Sequence, residues 1–255
     1  TLKRAIIRLD SVWSELLDER FGYARVSQFQ PGTAIELKQQ LASLEIESAD
    51  GLAGLVLDLR NNPGGVLDGA VAVSDLFLRE GVIVTTRGRM KDSEVTYSAT
   101  PKDILVGAPI VVLVNSGSAS ASEIVAGALQ DHARAVIMGE KTFGKGSVQT
   151  ILPMNNGAAL KLTTARYYTP SDRSIQASGI IPDIESSNLA FTPDEGKEEF
   201  NLREIDLTGH LKNDDGDEVM DDSAASANRW PRQLDDQIRQ AVNLLKSMVI
   251  ALGAG

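Results

Sequence analysis

The chain has 255 residues, 42% apolar and 24% charged, which is near the soluble globular average and long enough to bury a core unaided by disulfides or metals. With no cysteine and only two histidines, His132 and His210, it has no thiol nucleophile and almost no material for a zinc or multi-histidine metal site. A formal charge of −10 disfavours a nucleic-acid binder, and no run of about 18 apolar residues is present to span a bilayer. No charged-then-apolar leader opens the sequence, which starts at Thr1 in mid-pattern.

Tyr23, Val26 and Phe29 alternate with polar neighbours and predict a strand over 23–29. Ile35, Leu37, Leu41 and Leu44 follow at helical spacing, with Thr33 as the expected cap and Glu36 three residues on. Leu55 to Leu59 is a short apolar run of the kind found in buried parallel strands, and Asn61-Asn-Pro-Gly-Gly65 breaks it sharply. A helix is expected over 66–78, strands over 82–86 and 110–114, a helix over 123–130 and a strand over 135–138. Val148–Leu152 and Ala158–Arg166 read as a hairpin around Asn155-Asn-Gly157. Strands alternating with helices give an α/β core, with α+β character from the hairpin, and no internal repeat is visible.

From Asp183 to Asp222 the chain holds 14 acidic and 3 basic residues, a net −11 that exceeds the −10 of the whole chain and leaves the rest at +1. It reads as a solvated surface segment with turns at 192–196 and 213–217. Asp214, Asp215, Asp217 and Glu218 do not have the spacing of a calcium-binding hand loop, so no calcium site is expected. Beyond it, Leu234, Ile238, Ala241, Leu245 and Met248 recur at four- and three-residue steps, with Val242 and Val249 beside them. This is an amphipathic helix that either packs on its own core or joins subunits.

Chemistry concentrates at two loops. Gly117-Ser-Ala-Ser-Ala-Ser122 lies between a buried strand and a helix, where α/β proteins place reactive groups. A serine there faces the unpaired N–H groups of the helix start, which favour developing negative charge. Its usual histidine base is out of reach. His132 lies at the far end of the same helix, about 18 Å away, and His210 lies in the acidic stretch. Lysine is the alternative base once desolvation lowers its pKa. Lys145, flanked by Gly144 and Gly146 after another buried strand, is the best candidate, although a surface lysine in a glycine loop would look the same.

Four motifs in order then carry a specific likeness: Leu57-Asp-Leu-Arg-Asn-Asn-Pro-Gly-Gly65, Ser116-Gly-Ser-Ala-Ser-Ala-Ser-Glu-Ile124, Gly139-Glu-Lys-Thr-Phe-Gly-Lys-Gly-Ser-Val-Gln149, and Tyr167-Tyr-Thr-Pro-Ser-Asp-Arg-Ser-Ile-Gln176 with Gly179-Ile-Ile-Pro-Asp183. Over roughly residues 20–185 the chain resembles the carboxy-terminal processing (tail-specific) protease family. The resemblance implies a crotonase-like ββα protease core over 1–190, an acidic connecting segment over 191–229 and a C-terminal helix over 230–255. It implies a serine endopeptidase with Ser120 as nucleophile, Lys145 as general base and Gln149 orienting the lysine. The Ala121 N–H, with that of Gly64 or Gly65, would form the oxyanion hole; Ser118 and Ser122 remain local alternatives to Ser120, with Ser122 better placed as a cap. No metal or organic cofactor is implied.

Members of that family carry a peptide-binding PDZ domain ahead of the core. Its glycine-rich signature is not found in these residues, and Thr1–Ser11 resembles the strand leaving such a domain. The resemblance further implies a periplasmic, cell-envelope enzyme that trims protein and peptide substrates from their C-termini. It also implies a homo-oligomer joined through terminal segments, a helical-repeat adaptor lipoprotein as partner, and peptidoglycan hydrolases among possible substrates. Two alternatives stand beside it: a photosystem-protein processing protease, and a non-proteolytic ligand-binding module similar to the repeats of interphotoreceptor retinoid-binding protein. Aromatic residues, at 5%, are few for lining a lipid cavity.

Overall fold

The computed structural model describes residues 10–89, 93–186 and 236–253. The acidic stretch beyond Ser186, His210, Pro231 and Leu234 therefore lie outside the described residues. Among those described, six strands form one sheet in the order β1-β2-β3-β6-β7-β10. These are Val12–Leu17, Phe21–Val26, Gly54–Asp58, Ile110–Val114, Ala135–Gly139 and Ile184–Glu185. β1 and β2 are antiparallel, and every later pairing in this sheet is parallel. Helices α1 (Thr33–Glu47), α2 (Leu67–Asp75) and α3 (Ala121–Asp131) cover one face, and α4 (Asp236–Gly253) covers the other. A second sheet, β5-β4-β9-β8, is built from Val95–Ser98, Val82–Gly88, Ala159–Tyr168 and Ser147–Pro153.

Side-chain alternation explains the layering. In β3 and β6, Leu55, Leu57, Ile110, Val112 and Val114 point into the core shared with α1, α2 and α3. Val56, Val111 and Leu113 point the other way, onto Ile238, Ala241, Val242 and Leu245 of α4. Strands buried on both faces read as unbroken apolar runs, as these do. Of the stripe that the C-terminal sequence offers for subunit association, Ile238, Ala241, Val242 and Leu245 are thus buried on the chain's own sheet, and Met248 and Val249 are half-buried. Leu245 approaches so closely that a Cβ on Gly54 would meet its Cδ2 at 3.2 Å.

Two local expectations are corrected. The N-cap of α1 is Gly32, not Thr33, whose Oγ1 instead accepts the Gln30 N–H at 2.9 Å. Glu36 does not close a capping box; its carboxylate accepts the Ser11 hydroxyl at 2.6 Å and the N–H groups of Ser11 and Val12, tying α1 to β1. Asp172, in the turn after β9, has a φ of 66°. Aspartate tolerates this left-handed region better than most residues, and here its carboxylate also pairs with Arg87.

Candidate active site

Two loops leave the C-terminal ends of neighbouring parallel strands, β3 and β6, and meet there. The first, 59–65, is held by Asn62, which is fully buried. Its Nδ2 donates to Val26 O at 2.8 Å, and its carbonyl accepts the Ala119 N–H at 3.0 Å and the Ser122 hydroxyl at 2.8 Å. The second loop turns into α3 at Ser120, whose φ of 57° and ψ of −109° are strained for a residue with a side chain. The contact is so close that a Cβ on Gly64 would lie 2.7 Å from Ala119 O, 2.9 Å from the Ala121 N and 2.9 Å from Ser120 Cβ. Gly64 itself, at φ 102°, needs the freedom of glycine.

A third loop, 140–146, is brought to the same place by Glu123. This carboxylate is fully buried and accepts four donors: the Ser120 N–H at 2.6 Å, the Thr142 hydroxyl at 2.6 Å, the Gly144 N–H at 2.7 Å and the Lys145 N–H at 2.9 Å. Burial pushes it up to about 7, while those four donors pull the other way. Glu123 therefore ties the backbone of the serine turn to the backbone of the lysine loop. At the end of β3 a second buried carboxylate, Asp58, receives Arg60 through Nε at 3.0 Å and Nη2 at 2.7 Å, and the Tyr23 hydroxyl at 2.7 Å. Burial opposes its charge, but Arg60, then Arg25 and Tyr23, outweigh it and hold the carboxyl below its usual range.

The structure separates the three candidate serines. Ser118 is buried and donates to Leu59 O at 2.8 Å; Ser122 is buried and donates to Asn62 O at 2.8 Å. Ser122 is no cap, because it lies inside the first turn of α3, whose N-cap is Ser120. Ser120 is half-buried, with its hydroxyl beside the junction of the two loops. Of the two glycines expected to share the oxyanion hole, Gly64 has its N–H committed to Asn62 Oδ1 at 2.9 Å. Gly65 and Ala121 have N–H groups without an acceptor among the described residues. Lys145 is half-buried rather than buried, and Gln149, on β8, is exposed. Among the described residues no hydrogen bond joins the side chains of Ser120, Lys145 and Gln149. His132 caps the far end of α3 and meets Val82 O at 2.7 Å, away from this site.

Sequence reasoning missed Glu123, Asn62 and the Asp58–Arg60 pair. For Glu123 a signal existed: Ser120-x-x-Glu123 is a capping-box spacing. Asn62 and Asp58 lie within Leu57–Gly65, whose sequence gives no sign of which side chains turn inward.

A serine lifted on a strained turn at the head of a buried helix, next to the unengaged Ala121 N–H and packed against the Gly64-Gly65 loop, is an arrangement suited to acyl transfer. The chain belongs to peptidase family S41, whose model matches residues 20–186. It is 45% identical over 247 residues to the carboxy-terminal-processing protease of Bartonella bacilliformis, covering 96% of this chain and 56% of that protein. The carboxyl-terminal-processing protease of Synechocystis is 44% identical over 197 residues, covering 75% of this chain and 45% of that protein. Among solved structures, the photosystem II D1 C-terminal processing protease is 34% identical with a TM-score of 0.63, over 71% of this chain and 49% of that one. The chain spans about half the length of the curated relatives it matches.

Proposed function

We propose that this chain carries the catalytic core of a serine endopeptidase that processes proteins from their C-termini in the cell envelope. Ser120 is the nucleophile, Lys145 the general base and Gln149 the group that orients it, with the N–H groups of Gly65 and Ala121 as the oxyanion hole. The observation that carries this reading is the Ser120 turn, a strained serine packed against Gly64, with N–H groups at Ala121 and Gly65 that have no acceptor among the described residues.

The chemistry follows from these roles. Lys145 takes the Ser120 proton as Oγ attacks the peptide carbonyl, and the carbonyl electrons move onto oxygen between the two N–H donors. Such donors are worth about 2.7–4 kcal/mol each in the transition state. The tetrahedral species collapses, the amine leaves with the proton held by Lys145, and Ser120 is left acylated. Water then gives its proton to Lys145 and attacks the ester, and Lys145 returns that proton to Ser120 Oγ as the new C-terminus is released. Ser120 becomes available because its two neighbours have spent their hydroxyl protons on Leu59 O and Asn62 O.

Peptide cleavage by Ser120→Ala and Ser118→Ala, with folding followed by circular dichroism, is the test. Ser120→Ala should lose all measurable cleavage while folded, and Ser118→Ala should retain some. Full activity in folded Ser120→Ala would overturn the proposal.

A further inference from the structure

The inward face of α4 is apolar except at one place. In its first turn Gln237 is buried, at 2% exposure, within a stripe otherwise made of Ile238, Ala241, Val242 and Leu245. A buried amide persists only when its polar atoms are bonded, and both ends of this one are. Its Oε1 accepts Arg60 Nη1 at 2.7 Å, and its Nε2 donates to the carbonyl of Ser186, just past β10. Arg60, 6% exposed, gives Nε, Nη2 and its backbone N–H to Asp58, the last residue of β3. A continuous line of hydrogen bonds therefore runs from Ser186 through Gln237 and Arg60 to Asp58, joining residues 177 apart in sequence.

Arg60 is the residue from which the loop to Gly64 and Gly65 springs. The far side of that loop is fixed to the serine turn through Asn62, and its near side depends on where Arg60 is held. We infer that Gln237 is a positioning residue for the oxyanion loop: by seating the Arg60 guanidinium, the first turn of α4 sets the placement of the Gly65 N–H beside Ser120. Without Gln237 the guanidinium keeps Asp58 but loses the acceptor of its Nη1, which slackens the seat from which the loop springs. The kinetic consequence rests on the proposed Ser120 chemistry; the claim about loop placement does not.

The experiment compares Gln237→Leu, which keeps the volume and removes the acceptor, with Gln237→Glu, which keeps the acceptor for Arg60 and removes the donor to Ser186. Amide exchange and steady-state cleavage are read on both and on the unaltered chain. In Gln237→Leu the amides of Asn61, Asn62 and Gly64, each hydrogen-bonded in the loop, should exchange about tenfold faster while those of Leu55–Leu57 stay within about twofold. Its kcat should fall about tenfold at a KM within about twofold, and Gln237→Glu should stay within about threefold on both measures. Unchanged loop exchange in Gln237→Leu overturns the inference. So does equal loosening in both variants, which would assign the role to Ser186, and so does faster exchange throughout the sheet, which would mean lost stability alone. Loosening confined to Gln237→Leu in a chain with no Ser120-dependent cleavage would leave the positioning role standing and sink the protease reading instead.

Discussion

The floor of the site and the β8–β9 ribbon beside it are built on opposite principles. In the floor, the loops at 59–65, 115–123 and 140–146 are joined through buried acceptors, with Asn62, Asp58 and Glu123 each serving several donors. In the ribbon, Ile151, Met154 and Leu162 are 64%, 51% and 43% exposed, and β8 is an edge strand. Lys145 and Gln149 sit where one passes into the other. What this difference teaches is that preorganisation here belongs to the backbone. The peptide groups that would receive charge are fixed, while the side chains that would move protons are not bonded to one another.

The most direct way to break that contrast is to push the two loops apart. Gly64→Ala places a Cβ 2.7 Å from Ala119 O and 2.9 Å from the Ala121 N, all of it backbone that cannot swing aside, on a residue with φ 102°. Cleavage should fall at least about 100-fold, with a stability loss of about 2–4 kcal/mol measured by denaturant unfolding. A folded variant with normal kcat would show that the junction is not rigid.

Removing the charge at the junction should cost less. In Glu123→Gln an amide N–H₂ replaces one oxygen and faces two of the four donors that the carboxylate accepts. A drop of about 10–100-fold in kcat is expected. The pH dependence has a definite sign. The folded carboxyl titrates at about 7 against 4.5 ordinarily, so between these values the folded chain keeps a proton that the unfolded chain has released. The stability this gives is complete below 4.5 and is lost as pH rises through about 7. Melting curves of the unaltered chain should therefore fall relative to Glu123→Gln across that window. Cleavage should rise across it, because only the carboxylate can accept all four donors. Parallel melting curves would show that Glu123 does not titrate there.

How much of this was legible in the sequence follows the same contrast. Strands and helices buried on both faces announce themselves, and Ile110–Val114 is found within the bounds read from its apolar run. β1, β5 and β10 were not foreseen. They are short or half-exposed, and β10, of two residues, is defined by its pairing with β7 and not by any pattern of its own. At the site, Ser120 and Lys145 were visible through composition and motif. The polar residues beneath them were not, because what makes Glu123 and Asn62 matter is their burial and the number of donors that converge on them. The commitment of the Gly64 N–H to Asn62 is likewise a property of the folded loop, since nothing in Asn-Asn-Pro-Gly-Gly distinguishes its two glycines.

Gln149 tests the boundary between the two regions. It is exposed and unbonded to Lys145 among the described residues, so any orienting role must come into force when substrate covers it. Gln149→Ala should lower kcat by about tenfold or less and leave the melting temperature within about 1–2 °C. A change in stability without a change in kcat would remove it from the machinery.

The ribbon supplies the smallest expected effect. Leu162 pairs across the strands with Thr150, and Leu152 with Leu160, so one face of the hairpin carries apolar side chains in water. An exposed leucine has little burial to lose, and threonine suits a strand as well or better. Leu162→Thr should therefore alter stability by no more than about 0.5 kcal/mol, in urea unfolding. The identical exchange at Leu57, fully buried in β3, should cost several kcal/mol, because it both opens a cavity and buries a hydroxyl. If Leu162→Thr proved as costly as Leu57→Thr, the ribbon would be packed against something in solution, and its contrast with the buried floor would have to be withdrawn.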